Sequence, residues 1–116
     1  MTVATLSKPT EAVEGQFAAY NAQDLEAFCS FYADDATLGG FNEEPYTRGL
    51  DAIRARHEKL FAEFPQNKAV LLARMVVGNT VIDHERVFRS PEAEPFEVAA
   101  IYTLADGKIA RVDFVK

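Results

Sequence analysis

FPQNKAVLLARMVVGNT, Phe64 to Thr80, is where the chain changes its period. Upstream, LDAIRARHEKLFAEF sets Leu50, Ile53, His57, Leu60, Phe61 and Phe64 along one helical stripe. Pro65 stops that helix, because the residue before a proline is pushed out of helical backbone space. Downstream, KAVLLARMVV reads as a strand and meets Gly78-Asn79, a turn dipeptide. Everything after Pro65 continues in this way. VIDHERVFR returns as the hairpin partner and SPEAEP is a loop. FEVAAIYTL then runs into Ala105-Asp106-Gly107, a hairpin turn, and KIARVDFVK comes back.

Before Leu50 the periods are helical. Residues 1–8 read as a loose lead-in, and a helix begins at Pro9-Thr10-Glu11, with Thr10 as its candidate cap. Val13, Phe17 and Tyr20 recur at helical spacing, with Gln16 beside Phe17. Asn21 to Asp24 break the pattern, and Asp24 is placed to cap a second helix, LEAFCSFYA. Asp34-Asp35 close that helix and Thr37-Leu38 open a short strand. GGFNEEPYTRG, with three glycines and a proline, reads as a loop. Three helices followed by a meander of strands make an α+β protein, helices on one face of an antiparallel sheet, in one domain spanning 9–116.

Composition narrows the function classes. A length of 116 residues suits one core, and 48% hydrophobic with 26% charged residues is ordinary for a globular domain. A net charge of −6 lacks the basic stripe of a nucleic-acid binder. No apolar run approaches the roughly 20 residues of a membrane span. The opening MTVATLSKPTEAVEG lacks the order of a signal peptide, so a cytoplasmic location is the default expectation. Cys29, the single cysteine, falls in an apolar helical pattern and reads as a buried thiol, excluding an internal disulfide.

VIDHERVFR, Val81 to Arg89, is the anomaly. Asp83, His84, Glu85 and Arg86 are consecutive, so a strand here carries charge on both faces. An isolated buried charge is too costly to stand alone, so either register demands ion pairing.

In their order and spacing, NAQDLEAFCSFYADDATL, RGLDAIRARHEKL and YTLADGKIARVDF resemble the helix pair, third helix and final hairpin of the ketosteroid-isomerase-like, SnoaL-like or nuclear transport factor 2-like superfamily. The resemblance runs from about Glu11 to Lys116. It implies a cone-shaped curved sheet, cystatin-like in fold, with a pocket between its inner face and the helices. Isomerases, polyketide cyclases, epoxide hydrolases and non-catalytic modules share this fold, so it implies no single reaction. The isomerase positions carry over poorly. Its base falls at Gly40, its tyrosine donor at Gln16, and its protonated acid at Ala100, or Ala99 if the gap moves. A second pocket tyrosine falls at His57, which would lie near Gln16.

The epoxide-hydrolase branch carries Glu-Arg-Val-Asp on the charged strand, where this chain has Glu85-Arg86-Val87-Phe88. In that register His84, Arg86 and Phe88 point into the cone, while Asp83, Glu85 and Val87 point out. A slip of one residue reverses the assignment. The first register is preferred, with Arg74 or Arg111 as partners for the outward acids. The hydrolase's second acid falls at Phe114, beside Asp113.

The expected site follows. His57, His84 and Arg86 are the catalytic candidates, the histidines as acid or base and the arginine stabilising an anion. Gln16, Tyr20, Phe88, Val98, Ala100, Tyr102, Val112 and Phe114 would line the cone, with Phe96 and Leu104 on the same wall. Tyr32, Phe41 and Tyr46 would close its mouth. The expected ligand is a small, largely apolar molecule, handled without cofactor or metal. The expected assembly is a homodimer through the outer sheet face. A non-catalytic binding or dimerisation module is the alternative reading.

Overall fold

The computed structural model describes residues 8–116, so most of the lead-in lies outside the described residues. Three helices, α1 (Pro9–Ala22), α2 (Leu25–Ser30) and α3 (Leu50–Glu63), pack on one six-stranded sheet. Its strands are β1 (Tyr32–Gly40), β2 (Pro45–Arg48), β3 (Lys68–Val77), β4 (Thr80–Phe88), β5 (Phe96–Ala105) and β6 (Lys108–Val115). They lie in the order β2-β1-β6-β5-β4-β3.

Pro9 occupies the first turn of α1, where its missing N–H costs nothing. Lys8 is the cap residue and makes no side-chain cap bond, so Thr10 sits inside the helix rather than capping it. Asp24 caps α2 as its position predicts, its Oδ1 accepting from the Ala27 N–H at 3.1 Å. α2 stops at Ser30, short of the expected LEAFCSFYA, and β1 starts at Tyr32. Pairing wins over local pattern here, because β1 runs parallel to β6 with Tyr32 opposite Ile109. That parallel pair is the one departure from the expected antiparallel ladder. Within the expected loop, Pro45–Arg48 forms the short edge strand β2 against β1.

The core lies between helices and sheet. Val13, Phe28, Ile53, Val81, Ala100, Ile109 and Val112 are all sealed from solvent. Cys29 is buried with them, as its pattern predicts. A smaller cluster of Ala69, Val87 and Val98, flanked by Phe17 and Phe96, forms the other end. Asn21, at the end of α1, clamps that end to the sheet edge: its side chain donates to the Ala69 carbonyl at 2.9 Å and accepts from the Ala69 N–H at 2.8 Å.

Bulges shape the sheet, among them one on β3 and one on β6. Leu72 is the extra residue between the Leu71–Glu85 and Ala73–His84 pairs, and Ala110 is extra between Thr103–Arg111 and Leu104–Ile109. A bulge bends its strand and reverses which side chains face inward. Beyond Leu72, this reversal turns Arg74 toward the helices.

The preferred register of the charged strand is reversed. Val81, Asp83, Glu85 and Val87 are buried, whereas His84 is exposed and Arg86 and Phe88 are half-buried on the opposite face. Cross-strand partners share a face. Glu85 lies opposite Val98, Asp83 opposite Ala100, and Val81 opposite Tyr102. Once those β5 residues form the inner wall, their β4 partners must join it. His84, Arg86 and Phe88 are therefore excluded from the cone. His84 and Arg86 instead meet Glu97 on the outer face, at 2.5 and 2.9 Å. Arg111 pairs with Asp113 on that same face, and Phe114 points inward opposite Ala100.

Candidate functional site

A cavity of ≈ 280 Å³ opens between α1, α3 and the inner face of the sheet. Gln16, Tyr32, Leu38, Glu85, Val98 and Tyr102 form its buried depth, with Phe17, Tyr20, His57, Val87, Phe96 and Phe114 around them. Tyr46, Arg56, Lys59, Leu60, Glu63, Arg89 and Lys116 complete the lining. Of these, Tyr46, Arg56, Lys59, Glu63 and Lys116 are exposed and mark the opening.

Gln16 projects from α1 and links two tyrosines from different strands. Its Oε1 accepts from the Tyr32 hydroxyl at 3.2 Å, and its Nε2 donates to the Tyr102 hydroxyl at 3.4 Å. Burial pushes both phenols above the ordinary tyrosine range, and the Glu85 charge adds to it, so both stay protonated. Because Tyr102 receives Gln16's hydrogen on its oxygen, its own O–H is left to donate toward Glu85.

Glu85 is the chemical centre of this arrangement. It is 8% exposed, and its Oε2 is sealed without a hydrogen-bond partner. Burial pushes its carboxyl up to about 7, and the neighbouring Asp83 charge adds to the rise. Arg74 and the Tyr102 hydroxyl act in the opposite direction. Asp83 is compensated directly: Arg74 Nε and Nη2 grip its two oxygens at 2.7 and 2.9 Å. Arg74 also reaches Glu14 on α1 at 3.3 Å. The expectation that Asp83 pairs with Arg74 is met, on the inner face rather than the outer.

His57, projecting from α3, lies against Phe28 with ring centroids 4.3 Å apart. Its Nδ1 donates to the Ile53 carbonyl at 2.8 Å, which assigns the proton to that nitrogen. Burial holds the imidazole down at about 4, with Arg56 and Arg89 pushing the same way. His57 is thus neutral near pH 7, with Nε2 available to accept a hydrogen bond.

Sequence reasoning placed Gln16, Tyr20, Tyr32, Tyr46, His57, Val98, Tyr102 and Phe114 at the cavity, and they line it. Ala100 and Val112 face inward but are fully buried in the core, too short or too deep to reach the space. Phe41 is 52% exposed and lies outside the lining, because the turn after β1 carries it away. Glu85 and Val87 were missed through the reversed strand. Arg56, Lys59, Glu63 and Arg89 were missed because solvent-facing charges on a helix and a loop carry no pattern that points to a pocket. No group of three or more His, Cys, Asp and Glu side chains able to hold a metal occurs among the described residues. Among these residues no helix is long and apolar enough to cross a membrane.

A curved sheet wrapped on three helices around one lined cavity defines the cystatin-like, nuclear transport factor 2-like class of α+β protein. Residues 13–112 match the SnoaL-like domain, and the chain belongs to that family. It is similar to an uncharacterised cystatin-fold protein from Novosphingobium aromaticivorans, at 33% identity over 94% of this chain and 98% of that one, with a TM-score of 0.88. A candidate polyketide cyclase from Sinorhizobium meliloti has a TM-score of 0.77 at 22% identity, over 93% of this chain and 99% of that one. A candidate ketosteroid isomerase from Kribbella flavida has a TM-score of 0.77 at 15% identity, over 91% and 75% respectively. These two likenesses establish the shared fold. No curated protein matches the sequence.

Proposed function

We propose that this protein takes a small, largely apolar molecule into its cone and moves a proton on it without a cofactor, with Glu85 as the acid/base group. The supporting observation is a carboxyl poised near neutrality, with one oxygen left without a partner, in a largely apolar cavity. A general base works best when its pKa lies near the operating pH. Ionised Glu85 takes a proton from carbon beside a carbonyl, and the electron pair moves onto the carbonyl oxygen. The Tyr102 O–H, turned toward Glu85 at rest, swings to that oxygen as Glu85 takes the proton. Return of the proton to a neighbouring carbon completes an isomerisation with nothing oxidised or reduced. Addition of water to a double bond conjugated with that carbonyl uses the same group. Glu85 takes the water proton as oxygen bonds one carbon and the π pair shifts onto the carbonyl oxygen, then delivers the proton to the other carbon. His57, neutral and with a free Nε2, orients a substrate donor rather than supplying acid. His84 and Arg86, on the outer face, have no part in this chemistry.

The reading includes a homodimer through the outer sheet face. Val70, Met75 and Val77 on that face are 47%, 56% and 68% exposed, an apolar patch that a second copy would cover.

The test is deuterium exchange at carbons beside the carbonyl of small cyclic ketones in heavy water, followed by NMR. Wild-type protein should accelerate exchange with an inflection near pH 7. Glu85→Gln should lose on the order of 10²–10⁴-fold, the usual worth of a positioned acid/base group. Equal exchange by wild type and variant would remove Glu85 from the chemistry. Ketone binding without exchange would favour the non-catalytic alternative, in which the cone only holds its ligand.

A further inference from the structure

The cations of this acidic chain are unevenly satisfied. Arg48, Arg54, Arg74, Arg86 and Arg111 each have a carboxylate partner. The two remaining arginines, Arg56 and Arg89, have none among the described residues, and residues 1–7 contain no Asp or Glu. Both line the cavity, together with Lys59 and Lys116. Glu63 and the deep-set Glu85 are the only carboxylate side chains in that lining, so four cationic side chains face two acidic ones in a protein of net charge −6.

Arg89 is held, not loose. Its Nη1 donates to Oδ1 of the fully buried Asn67 at 2.8 Å and to the Tyr20 hydroxyl at 3.3 Å. Its guanidinium lies over Phe96 at 5.1 Å and Phe64 at 5.7 Å. All these partners are neutral, so the position is fixed while the charge stays uncompensated. Nε and Nη2 have no acceptor among the described residues, leaving donors of the fork that suits a carboxylate. Arg56 is held over Tyr46 at 4.6 Å. Arg56 and Arg89 both act on Lys116, whose ammonium is pushed down by burial and by these two charges. Glu85 is buried on β4, whereas Arg56 is exposed at the opening, so the cationic group and the acid/base group differ in depth.

Resting on the proposed function, we infer that the cavity's occupant is an organic carboxylate: an apolar skeleton laid against Glu85, with its carboxylate group held at the mouth by Arg89 and Arg56. Unpaired guanidinium in partly dry surroundings is costly, and a bound carboxylate relieves that cost. An apolar interior with a few convergent polar groups at one end is the usual form of a small-molecule site.

The experiment is calorimetric titration with octanoate, benzoate and naphthoate, each beside its primary alcohol. The acids should bind about ten-fold or more tightly than the alcohols, the worth of one charge-assisted contact. Added salt should narrow the gap. Arg89→Gln should erase the preference of acid over alcohol. Arg56→Gln, at an exposed position where folding is safe, should reduce it. Equal binding of acids and alcohols, or an unchanged preference in both variants, would overturn the carboxylate assignment and leave the pocket reading standing. Failure of every acid and every alcohol to bind wild type would overturn both.

Discussion

Glu85 and His57 titrate in opposite senses, and their effects on stability offset one another. Glu85 is raised from 4.5 to about 7, so its contribution is fully present below pH 4.5 and is lost as pH rises through 7. His57 is lowered from 6.5 to about 4, so its contribution is present above pH 6.5 and is lost as pH falls through 4. Each is worth roughly 3 kcal/mol over its window. Between pH 4.5 and 6.5 the two slopes cancel. Single variants should therefore expose a slope that the wild type hides. Relative to wild type, Glu85→Gln should gain roughly 3 kcal/mol between pH 4.5 and 7 in urea unfolding. A parallel pair of profiles would show that Glu85 ionises normally. The two residues also differ in how visible they are in sequence. His57 sits on an apolar helical stripe and so could be read as inward-facing. Glu85 lies in a run of four charged residues, where alternation alone fits either face.

The face of β4 is decided by its neighbour, not by its own residues. The inward set Val98, Ala100 and Tyr102 on β5 was legible as an apolar alternation, and it fixes Glu85, Asp83 and Val81 through pairing. Reading the two strands separately loses that constraint. The Leu72 bulge, which brings Arg74 onto the same face as Asp83, has no signature in KAVLLARMVV. The resulting ion pair ties β3 to β4, and through Glu14 to α1. Arg74→Met should cost about 3–5 kcal/mol, because Asp83 would remain buried and uncompensated. The same change should raise the apparent pKa of Glu85 further, since Arg74 now lowers it. Carboxyl titration by NMR separates this from mere loosening, which would let the value fall toward its ordinary range. Helix α1 carries a second test. A Cβ on Gly15 would overlap the Phe31 ring. Helix propensity favours Gly15→Ala by about 1 kcal/mol, but overpacking costs about 1–3 kcal/mol. Net destabilisation in urea melts is the expected result, and a gain would mean that Phe31 moves aside freely.

At the scale of the whole molecule, the fold was legible because the chain separates its periods: helical stripes before Pro65, hairpin signals after it. The segment Phe31 to Arg48 was not, because its strands are fixed by distant partners; β1 pairs with β6 across most of the chain. The outer face of the assembled sheet sets the last prediction. Edge strand β3 exposes apolar side chains, yet the Leu72 bulge interrupts the regular ladder that edge-to-edge pairing needs. Face-to-face contact is the geometry that remains for covering Val70, Met75 and Val77, with His84, Arg86 and Glu97 supplying charge on the same side. If the proposed dimer forms, sedimentation equilibrium at micromolar protein should give twice the chain mass, and the melting temperature should rise with concentration. Met75→Lys together with Val77→Lys should return the monomer mass, because two ammonium groups would have to be desolvated at the contact. Ligand binding in the cone should survive that change, since both side chains lie on the opposite face from Glu85. A wild-type protein that sediments as a monomer at every concentration would rule the dimer out, leaving the apolar face to some other partner.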